Sequence, residues 1–426
     1  MAVLSCVVLA VNLMAAAPAS HPASQPQSRP ARAEIAAEVF PFPEELGKVE
    51  AWTAITSTRN NQVIIGLCRT NDPAWLVQFD DASRSIVETL SVDAAIHDDG
   101  QGQLKQAKIH SQLVELSDGW VYGGTHLSED GNAKQYAGGH WFRYDPRSHK
   151  MEDLGLGMAH EGLISLQADE PRGCLYAITY PGAYLLRFDL VSRQTQVLGK
   201  TSRDDHVTRA FFVLGPGNVY TNQVYSPASQ PGGIYVFDAD TETGRVEALP
   251  VYRKVQGRYT ERVEQDAAKV YNYWLAGAAG AGGSVAYTTG YYSGHFVSLH
   301  LAGNGELVIR DHGLTVPDSP ARPESGPFSQ AMCVVGESVL FTVVVGEGKS
   351  GTAEARLLRY DPARDSIREL GVIRTKQGQP VTGCTAMTCS RSGQLYLVAK
   401  VPGQESVVLL RIGRNEIGLS PRGAQP

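Results

Sequence analysis

With 426 residues, 44 Gly, 23 Pro and a formal charge of −6, the chain has no basic excess to recruit nucleic acid or an anionic membrane surface. Beyond the first twenty residues no long apolar stretch has helical spacing, and Gly, Pro and the leading aromatic, Tyr, suit many short strands joined by turns. One closed all-β unit is expected, not the two or three domains that length alone suggests.

In chain order, an apolar run from Val3 to Ala17 passes into small residues and a Ser, Pro, Gln and Ala-rich stretch that reaches Arg32. Residues 1–20 read as a signal peptide and 21–33 as a disordered tether, which predicts a secreted or periplasmic protein. No Lys or Arg precedes Arg29, so the basic n-region of such leaders is missing and an uncleaved anchor stays open as the sole membrane association. Leu4-Ser5-Cys6 lies too close to Met1 to serve as a lipidation signal.

Residues 34–420 carry a repeat. A turn followed by a β-branched and aromatic run occurs as VIIGLC at 63, WVYGGTH at 120, CLYAITY at 174, NVYTNQV at 218, SVAYTTG at 284, SVLFTVV at 338 and QLYLVAK at 394. Each is followed by a second type, often ending on Asp: WLVQFDD, WFRYDPR, YLLRFDL, IYVFDAD, FVSLHLA, LLRYDPA and VVLLRIG. An apolar run precedes each pair and a weaker one often follows, so the unit has the four short antiparallel strands of a propeller blade. The expected fold is all-β, a seven-bladed β-propeller with four antiparallel strands per blade, and residues 421–426 form a tail. A pair of β-sandwiches competes, but the sevenfold register disfavours it. The ring closes through EIAAEVF at 34 or EIGLS at 416; the pattern does not choose between them. Outside the leader, Cys68, Cys174, Cys333, Cys384 and Cys389 form an odd set without CxxC spacing. They read as buried apolar residues, with one disulfide among Cys333, Cys384 and Cys389 as the alternative.

Strand polarity says which residues meet. The start of each inner strand and the end of its antiparallel neighbour lie at one edge. That rim gathers Trp52, Arg69, Lys108, His110, His126, His160, Glu161, Tyr180, Tyr184, Arg209, Asn222, Tyr225, Tyr271, Tyr273, Tyr291, His295, Gln330 and Lys400, whereas the opposite ends are mostly Gly, Ser, Asp and Glu. A concave mouth with convergent imidazoles, phenols and cations is the expected site. The catalytic candidates are His110, His126 and Tyr180. The substrate-binding candidates are Lys108, His140, Arg209, Tyr225, Tyr273, Tyr291 and His295.

The stretch KIHSQLVELSDGWVYGGTHLSEDGNAKQYAGGHWFRYDP, Lys108 to Pro146, resembles the second blade of seven-bladed propeller polysaccharide lyases of the ulvan lyase type. The resemblance covers about forty residues, and elsewhere it is architectural. It implies one His at the start of an inner strand and one at the end of the next, here His110 and His126, with Tyr180 in AITYPGAY and Arg209 in TRAFF downstream. Arg187, the Arg that first follows Tyr180, falls in a third strand and departs from that pattern. The function implied is β-elimination from a uronate-containing acidic polysaccharide. A cation or charged His would stabilise the enolate-like state and Tyr180 would move the proton, with base and acid roles exchangeable between Tyr180 and a His.

Two other readings stand beside it. A non-catalytic propeller would bind glycan or protein. A metal-dependent oligouronide lyase would use His110, His126, His140 or His295 as ligands, although no His-x-His or HExxH spacing supports a metal ion. No cofactor is otherwise expected, and the protein is expected to be a monomer. No Gly-x-Ser-x-Gly elbow marks a serine hydrolase, and GAAGAGG at 277 lacks the Lys-Ser/Thr of a phosphate loop and reads as a turn.

Overall fold

Continuous apolar runs such as Ser338–Val345 are buried on both faces, whereas fourth-strand segments such as Thr243–Ala248 are exposed throughout. That gradient is what sheets stacked face to face produce, with one edge inside and the other in water. In the computed structural model the described residues are 33–96, 104–127, 133–202, 208–215, 217–222, 233–264, 274–280, 282–290, 294–316, 331–346 and 353–418. The chain separates into two units, Met1–Arg32 and Ala33–Pro426, and every described residue belongs to the second. The expected leader and all of the tether except Ala33 therefore lie outside the described residues.

The strands form antiparallel meanders in chain order. The first sheet comprises Ile55–Ser57, Gln62–Leu67, Trp75–Asp80 and Ser85–Ser91. In the next, two short inner pieces, Lys108–Ile109 and Val114–Glu115, both pair with Val121–His126, followed by Gly138–Asp145 and Lys150–Ala159. Regular four-stranded sheets then span 162–200 and 212–248. The sheet at 274–314 is widened to six strands by an added hairpin, Val251–Val255 and Arg258–Arg262, whose first strand runs parallel to Leu307–Leu314. Among the described residues helical structure is limited to single 3-10 turns.

The last sheet contains eight strands because the segment Glu34–Pro41 joins two sets. Glu34–Ala37 pairs in parallel with Val372–Thr375, and Glu38–Pro41 pairs antiparallel with Val408–Arg411. The ring is thus closed by EIAAEVF; in the other candidate, Ile417 is buried as part of the apolar cluster beneath. Apolar clusters fill each interface between consecutive sheets, and one of them, with Ile55, Val63, Tyr396 and Leu409, joins the first sheet to the last. Ser57 N–H also donates to Thr388 Oγ1 across that seam, at 3.2 Å.

One turn recurs. Asp80, Asp145, Asp189, Asp238 and Asp361 each end a third strand and accept main-chain N–H bonds from residues two or three further on. Four residues after each Asp stands a residue in the left-handed region: Arg84, His149, Arg193, Glu242 and Asp365. The Asp carboxylate fixes the exit turn locally, and the positive φ reverses the chain into the fourth strand.

Two expectations need correction. Only the second half of GAAGAGG, at Gly280, Gly282 and Gly283, forms the turn; Gly277 and its Ala neighbours lie in the strand Trp274–Ala279, and a Cβ at Gly277 would come within 2.6 Å of the Phe212 ring, so this glycine permits close sheet packing. Cys68, Cys174, Cys333, Cys384 and Cys389 are all free thiols, so the alternative disulfide is not formed.

Because Ile35 is buried at the seam, Ile35→Ala should behave as a core truncation, not as a change near a chain end. The expected loss in urea unfolding is about 2–5 kcal/mol; a loss below about 0.5 kcal/mol would show that the strand is not needed for closure.

Candidate functional site

Lys108 pairs with His126, so the start of one inner strand and the end of its neighbour share an edge, with His110 just beyond. Tyr180 ends the corresponding strand of the following sheet and pairs with Gly162. A Cβ on Gly162 would lie 2.8 Å from the His126 ring, so the bare glycine lets the two sheets approach closely here. The outcome is a row of four rings. Trp52 stacks on His110 with centroids 5.1 Å apart, His110 lies 5.6 Å from His126, and His126 stacks on Tyr180 at 5.6 Å.

Both imidazoles are oriented by carbonyls: His110 Nδ1 lies 2.9 Å from Ile164 O and His126 Nδ1 lies 2.8 Å from Leu127 O. A carbonyl only accepts, so Nδ1 carries the proton in each ring and the Nε2 lone pair is left for other partners. His126 Nε2 is buried and has no hydrogen-bond partner. Burial, then the charge of Arg209, pushes the His110 pKa well below its usual value. Burial, with Lys108 and Arg209 as smaller contributors, pushes His126 down to about 3. Both shifts favour neutral imidazoles, so of the cation or charged His expected here the groups that carry charge are Lys108 and Arg209.

Arg209 enters from the connection ahead of the 212–248 sheet. Its main chain is fixed, with N–H donating to Trp274 O at 3.0 Å and O accepting from Gln112 Nε2 at 3.3 Å and Ser165 Oγ at 3.2 Å. Its guanidinium rests on Trp52, 4.4 Å from the ring centroid, and Nε is buried without a hydrogen-bond partner. Among the described residues no carboxylate pairs with it. At the two ends of the row Tyr180 is 39% exposed and Trp52 is half-buried, while Lys108, His110 and His126 are buried.

The structure thus joins Lys108, His110, His126, Tyr180 and Arg209, with Trp52. His140 is instead held by Asp153, 3.0 Å from Nδ1, and His295 by Asp311, 2.8 Å from Nδ1. Tyr225, Tyr273 and Tyr291 lie outside the described residues. Among the described residues no three His, Cys, Asp or Glu side chains converge as a metal site.

A second polar cluster escaped the sequence reading. Ser298 Oγ lies 2.7 Å from both His300 Nε2 and His312 Nε2, and His312 Nδ1 lies 2.6 Å from Asp365 Oδ1. Tyr259 and Lys254 of the added hairpin also bind Asp365, as does Tyr360. The order Ser, His, Asp matches a hydrolytic triad, but Ser298 is fully buried and its hydroxyl is shared by two imidazoles. This cluster ties the hairpin to the 274–314 and 332–375 sheets. His300, which the strand pattern places away from the rim, belongs to it, and burial pushes its pKa to about 4. The only sequence signal was Asp365 at the left-handed position of the repeated turn.

Two outcomes follow from the packing. Gly162→Ala should separate His126 from Tyr180, raising the exposure of the row and lowering stability by about 1–3 kcal/mol, as overpacking does; an unchanged melting curve would contradict the close approach. Since His126 holds its pKa at about 3 when folded, the unfolded chain takes up the proton first as pH falls below about 6.5. The stability present above that pH should decline toward pH 3 by up to about 1.4 kcal/mol per unit for such an imidazole, and His126→Gln should flatten the slope. An unaltered slope in His126→Gln would show that His126 is not held neutral.

No family model matches this chain, and no curated protein matches it. Solved structures with the same architecture include the RRP9 WD40 repeats, at 11% identity over 89% of this chain and 99% of that one with a TM-score of 0.56. The Myceliophteria thermophila Cps50 (Swd1) β-propeller domain aligns at 10% identity over 88% of this chain and 99% of that one, TM-score 0.50. A fungal alcohol oxidase of the AA5 family, in complex with copper, aligns at 9% identity over 89% and 76%, TM-score 0.54. At these identities the likeness speaks to the fold alone, and by it the chain is a β-propeller.

Proposed function

We propose that this chain is an exported seven-bladed β-propeller that cleaves a uronate-containing acidic polysaccharide by β-elimination at the mouth formed by His110, His126 and Tyr180. Seven apolar clusters between consecutive sheets support the blade count. The apolar leader supports export. For the chemistry the supporting observation is a guanidinium without an acid partner beside two neutral imidazoles, with an accessible phenol at the end of the row. Among the described residues Arg209 has no carboxylate partner, and an anionic ligand would supply one.

A uronate carboxylate placed against Arg209 supplies it. Its charge also favours the imidazolium form of His110 and His126, reversing the effect of burial and of the two cations. In the elimination the C5–H electrons become the C4=C5 double bond and the C4–O bond breaks toward the leaving oxygen. Tyr180 moves the proton from C5 to that oxygen, so no proton is gained or lost overall. The carboxylate gathers negative charge as C5 loses its proton, and a fixed guanidinium stabilises that charge more in the transition state than in the ground state.

Incubation with a panel of uronate polysaccharides should give the absorbance of an unsaturated product. Tyr180→Phe removes the proton carrier with the ring retained, and turnover should fall at least about 100-fold with little change in melting temperature. Full turnover in Tyr180→Phe on a proven substrate would reject the role, and tight binding without product would favour a glycan-binding propeller.

A further inference from the structure

We propose that Trp52 is a positioning residue of this site, its indole holding the Arg209 guanidinium and the His110 imidazole in register; the consequence for turnover rests on the function proposed above. Trp52 precedes the strand Ile55–Ser57, and its neighbour Thr53 donates from Oγ1 to His110 O at 2.6 Å, which anchors the connection against the site. The indole stacks on His110 with the planes only 20° apart, and the same indole lies 4.4 Å from the Arg209 guanidinium carbon.

Three hydrogen bonds fix the Arg209 main chain, but none reaches its guanidinium. An arginine side chain has several rotatable bonds, and without packing it samples many rotamers that a bound anion would have to freeze. The half-buried Trp52 ring does that freezing in advance through a cation–π contact. Trp52 is on the first sheet's side of the ring and Arg209 on that of the 212–248 sheet, so the contact crosses from one part of the ring to another. One aromatic residue thereby sets both the cation that meets a carboxylate and the imidazole beside it.

The first arm of the test needs no substrate. In the full chain labelled with nitrogen-15, the Arg209 Nε–Hε resonance, identified by its loss in Arg209→Gln, should carry a ring-current shift that Trp52→Leu abolishes and Trp52→Phe largely retains. The second arm is a double-mutant cycle on cleavage of polygalacturonate and of other uronate polymers. Trp52→Leu should lower kcat/KM at least about 10-fold and Trp52→Phe less than about 3-fold, and in an Arg209→Gln background Trp52→Leu should add less than about 3-fold, the share carried through His110. Additive losses, or an unmoved Arg209 resonance in Trp52→Leu, would overturn the proposal. If the wild-type chain cleaves no uronate polymer, the lyase reading fails by itself, and the resonance alone decides whether Trp52 holds Arg209.

Discussion

Closure of the ring by Glu34–Pro41 is the constraint on which the remaining structure depends. A run of sheets packed face to face leaves the first and last with uncovered faces and an edge of unpaired main-chain groups, and both are expensive in water. This segment pairs on both sides at once, parallel to one sheet and antiparallel to the next. Glu38 adds ion pairs to Lys376, Arg411 and Arg84, drawn from three separate parts of the sequence. Surface ion pairs contribute little singly, so the apolar seam around Ile35 and Ala37 carries most of the closure and the charges fix its register. Closure also fixes the angle between neighbouring sheets. The ring row depends on that angle, because His126 and Tyr180 come from two sheets and touch only where Gly162 allows it.

Much of this was legible because a propeller blade is a local object. Strand, turn and strand follow one another in sequence, and turns such as Asp145 to His149 are built from side chains that bond their own neighbours. His110, His126 and Tyr180 were readable for the same reason: strand polarity alone places the start of one strand beside the end of the next. The readable part stopped where contacts became non-local. The choice between EIAAEVF and EIGLS depends on a pairing between residues more than 330 positions apart, and periodicity does not encode it. The hairpin at 251–262 is absent from the repeat, so its union with Asp365 through Tyr259 and Lys254 had no pattern to announce it. His140 and His295 carry the right residue type at the right strand ends, but Asp153 and Asp311 on adjacent strands engage them.

The charge state of the histidines was the least accessible property. Residue type and position suggest an imidazolium beside an acidic sugar, but protonation depends on burial and on the sign of near neighbours. Around His110 and His126 both act in one direction, because the rings are buried and Arg209 and Lys108 are cations. The two imidazoles of this site are thus held neutral by their surroundings. Under the function proposed above, a bound carboxylate would oppose both effects.

The two histidine clusters of this molecule make the same argument by contrast. Around His312 most polar groups are answered: Asp365 balances the cation Lys254 and accepts from two phenols, and Ser298 bridges two rings, although Arg310 Nε beside Tyr259 is buried without a partner. A network joined in that way rigidifies the fold. Around His126 the balance is incomplete, with Nε2 and the Arg209 Nε buried and unanswered and the guanidinium facing an indole where an acid would normally stand. Leaving such groups unpaired costs folding free energy, about 1–3 kcal/mol for each neutral one and more for a charge. At the His126 rim the unanswered atoms are an imidazole nitrogen and a guanidinium nitrogen in one ring row, a combination that an anionic ligand would stabilise under the function proposed above.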